Sequence, residues 1–307
     1  MTPAEPSTPR DERPFDGVAL ERLLASLRPK LHRYCARITG SVIDGEDVLH
    51  EALIKAIEAL PTAGVIGNPE GWIFRIAHNT ALDFLRYRSR LAAAQSDEDI
   101  TMVADPTVVE DERFAAAASL YTLMQLPVAQ RSAVILKDVL GYSNEEVAGI
   151  LGEATVAAVK STLHRGRERL RELAAQPPAP RAAAPVLTLA ERSLLAGYID
   201  RFNARDFDGL RNMLANEVRL DLVSRTRVQG RAEVSKYYGY YEKLGDWRFA
   251  LGAVEGRPAA LAFDPRAPGS PPVYFVLLRW QGGKLAEIRD FRYARYVTDG
   301  AEWMVLE

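Results

Sequence analysis

The stretch LPVAQRSAVILKDVLGYSNEEVAGILGEATVAAVKSTLHRGRERLREL, residues 126–173, contains two short helical patterns that meet at a turn. Ser143 and Glu146 have the S-x-x-E spacing of a capping box, which predicts the start of the first helix. Gly152 interrupts the apolar periodicity, and Thr155 is expected to begin the second helix. The apolar residues predicted to face inward from the second helix are Val156, Val159, Leu163 and Leu170. Two helices joined by a tight turn are the layout of a DNA-binding helix-turn-helix.

The second helix has an excess of basic residues. Its charged residues are Lys160, Arg165, Arg167, Arg169 and Arg171 against Glu168 and Glu172. Lys and Arg neutralise phosphates and release counterions, so this excess favours a polyanionic partner. Ser161, Thr162 and His164 add polar groups that bind base edges or backbone oxygens. The alternative is a solvated amphipathic helix whose basic residues complement its C-terminal dipole. The capped helix and turn in front of it favour DNA binding.

This stretch resembles region 4 of bacterial sigma factors of the extracytoplasmic-function type. The LP opening, S-x-E-E-x-A-x-x-L-G and V-K-S-x-L-H-R-x-R-x-x-L all match. The resemblance implies that the module recognises the upstream promoter element and touches RNA polymerase. Thr162 stands where the family commonly has Arg, and Glu153 and Ala154 replace the usual turn residues, so the preferred promoter sequence is not predicted. The residues expected at the upstream element are Lys160, Ser161, His164, Arg165 and Arg167.

Length and composition indicate two or three soluble domains. The chain has 307 residues, of which 48% are hydrophobic and 26% charged, and a net charge of −2. A local basic helix suffices for nucleic acid, so the net charge does not exclude it. No apolar run is long enough to span a bilayer, and the polar N-terminus has no signal-peptide core, so we expect a cytoplasmic protein without membrane contacts. The single cysteine, Cys35, permits no internal disulfide and is expected in the core.

Residues 17–92 have helical patterns, after a polar segment, 1–16, that we expect to be disordered. DGEDVLHEALIKAIEAL, residues 44–60, is amphipathic and ends at Pro61. Its predicted inward face is Val48, Leu49, Ala52, Leu53, Ala56, Ile57 and Leu60, and its predicted outward face is Glu46, Asp47, His50, Glu51, Lys55 and Glu58. Solvation alone would explain that outward face.

A third helix is predicted over PEGWIFRIAHNTALDFLRYRSR, residues 69–90. Its polar face, predicted to include His78, becomes more basic toward the C-terminus, and basic and aromatic residues are interleaved along the helix. That combination suits single-stranded nucleic acid, although many surface helices look alike. Both stretches resemble sigma region 2, which implies that the first docks on polymerase through Asp47, Glu51 and Lys55. The resemblance also implies that the second binds the melted promoter element through Trp72, Asn79, Asp83, Arg86 and Arg88.

The remaining boundaries follow from composition. Residues 93–113 form an acidic linker, either a solvated spacer or, as the sigma resemblance implies, a segment that threads the RNA exit channel. Residues 114–175 form the helix-turn-helix module, which an alanine-rich helix over 114–125 is expected to open. Residues 176–187 are a Pro/Ala-rich tether, expected to be extended. A further domain then occupies 188–307.

The last domain has helices first and strands afterwards, which indicates an α+β fold. Helical spacing covers 189–214 with a turn near 203–208, and a short helix is expected over 231–244. Strand patterns cover 218–223, 225–230, 246–254, 272–281 and 284–297, and are expected to form an antiparallel sheet. YIDRFNARDFDGLRNML, V-x-G-R-A-E-V and KLAEIRDFRY resemble SnoaL-like domains of the nuclear-transport-factor-two fold, which implies a curved sheet wrapped over helices.

Two acidic residues on predicted strands, Asp221 and Asp290, raise the question of catalysis. All four histidines and the cysteine lie before this domain, so no His base, thiol or His/Cys metal cluster is expected there. Arg289 and Arg292 are expected to pair with Asp290. The residues that we expect to line an apolar cavity, unless they form an ordinary core, are Tyr198, Phe202, Asp221, Tyr237, Trp247 and Asp290.

The sequence therefore predicts two all-α sigma modules followed by an α+β SnoaL-like cone. We expect a sigma factor that binds core RNA polymerase and promoter DNA, needs no cofactor or metal, and is tuned by an intramolecular contact of its tail or by an unknown small ligand. It is not expected to be an enzyme. The alternatives are an isomerase- or cyclase-type enzyme on the C-terminal domain with a DNA-binding module attached, and a repressor that needs no polymerase.

Overall fold

A computed structural model of the chain describes residues 17–93, 120–175 and 185–306. The chain divides into two compact units, Met1–Pro177 and Pro178–Glu307. The expected disordered N-terminus, almost all of the acidic linker, the start of the alanine-rich helix and most of the Pro/Ala tether lie outside the described residues. In the part of the chain that the structure describes, no helix is long and apolar enough to cross a membrane.

The N-terminal unit begins with a first module, residues 17–93, of three antiparallel helices. These are α1 (Gly17–Thr39), α2 (Val42–Ala59) and α3 (Pro69–Ala93), with a short 3₁₀ turn at Leu60–Thr62. Ser41 caps α2, because its side chain accepts a hydrogen bond from the Asp44 N–H at 3.1 Å. Cys35 is fully buried, as predicted. Ile57 was predicted to face inward and is instead 54% exposed.

The second module, residues 120–175, packs against the first within the same unit. Its helices are α4 (Leu120–Met124), α5 (Val128–Val134), α6 (Asn144–Leu151) and α7 (Val156–Ala174), and a π-helical turn, Ile135–Val139, follows α5. One continuous hydrophobic core runs through both modules, from Leu20 in α1 to Leu170 in α7. The two modules therefore fold against each other as one body.

The C-terminal unit, as far as the structure describes it, combines four helices with a seven-stranded sheet. Its helices are α8 (Leu189–Asn203), α9 (Phe207–Met213), α10 (Arg231–Tyr241) and α11 (Arg295–Thr298). Its strands are β1 (Leu214–Leu222), β2 (Thr226–Gln229), β3 (Arg248–Val254), β4 (Arg257–Phe263), β5 (Tyr274–Gln281), β6 (Lys284–Asp290) and β7 (Trp303–Val305). Their order in the sheet is β2-β1-β6-β5-β4-β3-β7.

The α+β plan is confirmed, but the sheet differs from the prediction in three ways. β1 runs parallel to β6, with Leu220 opposite Ile288, so the sheet is mixed and not wholly antiparallel. β4 and β7 were not predicted. The last predicted strand ends at Asp290, because the chain then turns into α11. A two-residue turn joins β5 to β6, and Gly282 and Gly283 both have positive φ, as a type I′ turn requires.

Candidate nucleic-acid interface

The helix-turn-helix is built as the sequence predicts. Ser143 and Glu146 form a reciprocal capping box, with hydrogen bonds of 3.2 and 2.8 Å, at the start of α6. Gly152 ends α6 in the left-handed conformation, with φ of +71°. Thr155 then caps α7 by accepting a hydrogen bond from the Ala158 N–H at 3.1 Å. The turn geometry is therefore fixed by three short-range contacts.

The outer surface of α7 carries most of the residues predicted to contact DNA. Lys160, Ser161, His164 and Arg165 are exposed along the N-terminal half of the helix. His164 Nε2 lies 3.1 Å from the Glu168 carboxylate. Thr162 is buried, so it faces the core and not this surface. The exposed row is polar and basic, as a helix in a DNA groove requires.

Arg167, which was predicted to contact DNA, is held by a contact within the module. Its guanidinium binds both carboxylate oxygens of Asp138, at 3.0 and 2.5 Å. The Asp138 side chain is fully buried, while that of Arg167 is 26% exposed. A bidentate pair of this kind positions the side chain strongly. A phosphate contact by Arg167 would require it to leave this pair.

The predicted melted-element residues lie along α3 and are mostly exposed. Asn79, Asp83, Arg86 and Arg88 are exposed, whereas Trp72 is half-buried against the core. Arg86 pairs with Asp83 at 2.6 Å, and Arg88 pairs with Asp44 at 3.2 Å. These surface pairs are weak and are readily exchanged for phosphate contacts.

His78 was predicted on the polar face of α3 and is instead buried in the core. The Tyr34 hydroxyl lies 2.8 Å from His78 Nδ1. Burial lowers the pKa of His78 to about 4, and burial likewise lowers that of His32 to about 4. Both imidazoles are therefore neutral near pH 7.

The outward face of α2 carries the residues predicted to bind polymerase. Glu51 is exposed and pairs with Lys55 at 2.7 Å, and Asp47 is half-buried. Ile54 and Ile57 are exposed, which adds apolar surface to the same helix. Glu46 was predicted on this face, but it is 2% exposed and pairs with Arg28. The face is smaller and more apolar than the sequence indicated.

A cluster that the sequence did not reveal joins the two modules. We refer to Lys30, Tyr34, Glu70, Phe74 and Tyr142 as the intermodule cluster. The Lys30 ammonium lies 2.7 Å from Glu70 and 4.1 Å from the centre of the Tyr142 ring, and the Tyr142 hydroxyl donates to Glu70. The rings of Tyr34, Phe74 and Tyr142 pack edge to face in a row. No local sequence pattern could predict contacts between residues so far apart.

Electrostatics within this cluster favour an ionised Glu70. Partial burial acts to raise the pKa of Glu70, but hydrogen bonds from Lys30 and Tyr142 outweigh it and hold that pKa below its usual value. Arg131, in α5, is also buried at this boundary, and burial lowers its pKa to about 10. The boundary between the modules is therefore partly polar.

In the C-terminal unit, the residues predicted to line a cavity separate into three groups. Tyr198, Phe202 and Trp247 belong to a packed aromatic core. Asp221 lies toward the opposite face of β1, where it pairs with Arg227 at 3.0 Å and with Arg289 at 3.6 Å. The two residues that do line a cavity are Tyr237 and Asp290.

Asp290 is fully buried and has different partners from those predicted. It accepts hydrogen bonds from the hydroxyls of Tyr237 at 2.9 Å and Tyr241 at 2.7 Å, and from the Arg292 backbone N–H at 2.8 Å. The Arg292 guanidinium instead binds Asp246 at 2.6 and 2.9 Å, and Arg289 binds Asp221. Burial raises the pKa of Asp290, although these hydrogen bonds act against that rise. The predicted ion pairs to Asp290 are wrong.

Comparison with known families matches both modules of the N-terminal unit. Residues 23–91 match Sigma-70 region 2, and residues 120–170 match Sigma-70, region 4. The ECF RNA polymerase sigma factor SigG of Mycobacterium tuberculosis is 32% identical over 265 residues, which cover 77% of this chain and 71% of SigG. That share of the chain exceeds the N-terminal unit, so the similarity continues into the C-terminal unit.

Two solved structures are similar at lower levels. The extracytoplasmic function sigma factor SigJ of Mycobacterium tuberculosis is 22% identical, with 88% of this chain and 95% of SigJ covered and a TM-score of 0.34. An NTF-2 like protein of Burkholderia xenovorans is 17% identical, with 32% of this chain and 79% of that chain covered and a TM-score of 0.26. The assignment rests on the sequence matches, since both TM-scores are low. The two family matches and the similarity to SigG establish that the chain belongs to the ECF RNA polymerase sigma factors.

Proposed function

We propose that the two helical modules bind core RNA polymerase and direct it to promoters, where they initiate transcription in the cytoplasm. The observation that supports this most directly is the pairing, in one unit, of a capped helix-turn-helix with a second module that has an exposed polar helix. Each module matches its own sigma region, in the order that a sigma factor requires.

The upstream promoter element is recognised by the exposed row on α7. Lys160 and Arg165 bind phosphates or guanine edges, while Ser161 and His164 supply shorter polar contacts. Arg167 acts mainly by holding α7 against the π-helical turn through Asp138. The four exposed residues and not Arg167 therefore determine affinity for DNA.

The melted element and the polymerase bind to the first module. The exposed face of α3 binds the single strand through Asn79, Arg86 and Arg88, with Trp72 placed at its N-terminal end for stacking. The outward face of α2, with Glu51, Lys55 and the exposed isoleucines, docks on polymerase. Exposed apolar side chains flanked by charges are typical of a protein-binding surface.

The two modules pack against each other, and we refer to this arrangement as the closed form of the sigma factor. Promoter elements bound by the two modules are separated along the DNA by 3.4 Å for each base pair. α6 packs on α3 and the modules share one core, so we infer that this contact opens before both elements are engaged. The C-terminal domain tunes that opening, because its tether makes any contact with the modules intramolecular.

The decisive experiment is in vitro transcription with bacterial core polymerase, comparing the full chain with a chain that ends at Ala175. Promoter-dependent transcripts from either form support sigma activity, and their ratio gives the sign of the effect of the tail. The Lys160→Ala/Arg165→Ala double variant should lose promoter-dependent transcripts, while Arg192→Ala, an exposed residue in the C-terminal unit, should not. If neither form associates with core RNA polymerase, the proposed function is wrong.

A catalytic C-terminal domain is the second candidate, and it rests on Asp290. A buried carboxyl whose pKa is raised, and which binds two tyrosine hydroxyls beside a cavity, is a typical arrangement for acid–base chemistry. Asp290→Asn would then abolish turnover in a panel of ketone isomerase and cyclase substrates, whereas Asp221→Asn, on the other face, would not. If Asp290→Asn changes transcription and the native protein turns over none of these substrates, the domain is regulatory and not catalytic.

A further inference from the structure

A cavity of about 290 Å³ lies between α10 and the β1–β2 hairpin, near the end of β6. One wall is apolar and is formed by Leu220, Leu222 and Val228. The opposite wall is formed by tyrosines, among them Tyr237 and Tyr240 of α10. Its volume is about twice the ~150 Å³ that holds a benzene molecule, so two fused rings with a small head group fit.

The floor of this cavity has no unmatched charge. Asp290 is covered by the hydroxyls of Tyr237 and Tyr241, and its burial disfavours the ionised form. The nearby Arg292 guanidinium is neutralised by two contacts with Asp246. The floor therefore neither repels an anion strongly nor offers a bare carboxylate to a cation.

At the rim of the cavity, the side chain of Arg225 has no acidic partner among the described residues. Lys236 is paired with Glu233 at 2.7 Å. The Arg225 guanidinium lies 4.5 Å from the centre of the Tyr293 ring, and no carboxylate of the described residues pairs with it. Stacking on Tyr293 holds the planar guanidinium in place and leaves its N–H groups available, which suits bidentate binding of a carboxylate.

We propose that this cavity binds a small organic anion, namely a carboxylate carried by one or two aromatic rings. The carboxylate pairs with Arg225 at the rim, and the rings pack between the apolar wall and the tyrosines. A cationic ligand would be repelled by the rim arginine, and a neutral one would leave it unmatched. The site goes beyond the sigma function and does not depend on it.

The test uses three probes with the same ring system and different charges: 2-naphthoate, 2-naphthol and 2-naphthylmethylamine. Each is titrated into the full-length protein, and binding is followed by calorimetry and ligand-observed NMR. We expect saturable binding that is tightest for 2-naphthoate. Arg225→Gln should weaken 2-naphthoate binding about tenfold and leave 2-naphthol nearly unchanged, because it removes a charge-assisted contact and no apolar surface.

Arg227→Gln is the matched control, since Arg227 lies in the same hairpin and is exposed but does not line the cavity. It should leave 2-naphthoate binding within about twofold. Val228→Phe places a ring inside the cavity and should weaken both 2-naphthoate and 2-naphthol. The proposal is overturned if none of the probes binds, if 2-naphthol binds as tightly as 2-naphthoate, or if both arginine variants behave alike.

Discussion

The hydroxyl of Tyr142, in the second module, donates a hydrogen bond to the carboxylate of Glu70, in the first. Lys30 reaches the same carboxylate from α1 and also lies over the Tyr142 ring. One residue from each module, Lys30 and Tyr142, therefore binds the Glu70 carboxylate. This contact pairs polar groups at the edge of the apolar core that the two modules share.

Removing this contact should loosen the two modules without unfolding either. We expect a double-mutant cycle of unfolding free energies with Glu70→Gln and Tyr142→Phe to give a coupling energy of about 2 kcal/mol, within the usual range for a hydrogen bond to a charged group. Distances between spin labels placed in the two modules should become longer and broader. Tyr87→Phe, which removes the hydroxyl of an exposed tyrosine on α3, is the control. An unchanged distance distribution in the double variant would show that the hydrogen bond does not hold the modules together.

Arg165 and Arg167 should behave differently although they are two residues apart on α7. Arg165→Ala should weaken promoter binding by the holoenzyme and lower the log–log salt slope by about 1, because one phosphate contact is lost. Arg167→Ala should leave that slope nearly unchanged and destabilise the second module by about 3 kcal/mol, because the buried Asp138 loses its partner. Filter binding over a salt series and thermal unfolding measure the two effects. Equal salt slopes for both variants would place Arg167 on the DNA.

Two glycines of α6 provide a matched pair for testing the turn. Gly152 has a φ of +71°, so Gly152→Ala should destabilise the second module by about 1 kcal/mol, although an added Cβ would meet no atom closer than Arg75 Nη2 at 4.0 Å. Gly149 lies in the exposed interior of the helix with nothing within 4 Å of an added Cβ, so Gly149→Ala should stabilise it by up to about 1 kcal/mol. Urea unfolding of both variants measures the difference. If both substitutions stabilise the module or both destabilise it, Gly152 does not end α6 in the left-handed conformation.

The buried histidines should make the first module sensitive to acid. His32 and His78 have a pKa of about 4 in the folded protein and about 6.5 when unfolded, so between these values the unfolded chain binds more protons. Stability therefore falls as the pH falls through this window, by about 2 kcal/mol for each histidine between pH 8 and pH 5. Hydrogen exchange of α1 and α3, corrected for the intrinsic rate, measures it. His78→Gln should remove about half of the effect, and Asn79→Gln, a substitution of an exposed residue without a titratable group on the same helix, should remove none.

The features that the sequence predicted are those fixed by nearby residues. The capping box at Ser143, the turn at Gly152 and the cap at Thr155 each depend on contacts within four positions, so their spacing is sufficient to identify them. The exposed row on α7 follows from the same periodicity. Apart from β4, α11 and β7, the order of helices and strands in the C-terminal unit also follows from local patterns.

The features that were missed depend on tertiary packing. Glu46 and His78 lie at positions that look solvent-facing in their helices, but Arg28 and Tyr34 on α1 cover them. β4 contains Pro-Ala-Ala-Leu-Ala, whose β propensity is low, and its pairing with β3 and β5 makes it a strand. The side chains that bind Asp290, Tyr237 and Tyr241, come from α10, some fifty residues earlier in the chain, so the side chains of the adjacent arginines were misleading.

If the modules must open to bind polymerase, as we propose, their shared core also affects how this sigma factor competes for polymerase. If only the opened chain engages polymerase fully, the apparent dissociation constant is the intrinsic one divided by the opened fraction. Substitutions in the intermodule cluster would then change how much of a limited polymerase pool the protein binds in competition with other initiation factors. The packing of Tyr34, Phe74 and Tyr142 would in this way influence the share of polymerase that the protein binds in competition with those factors.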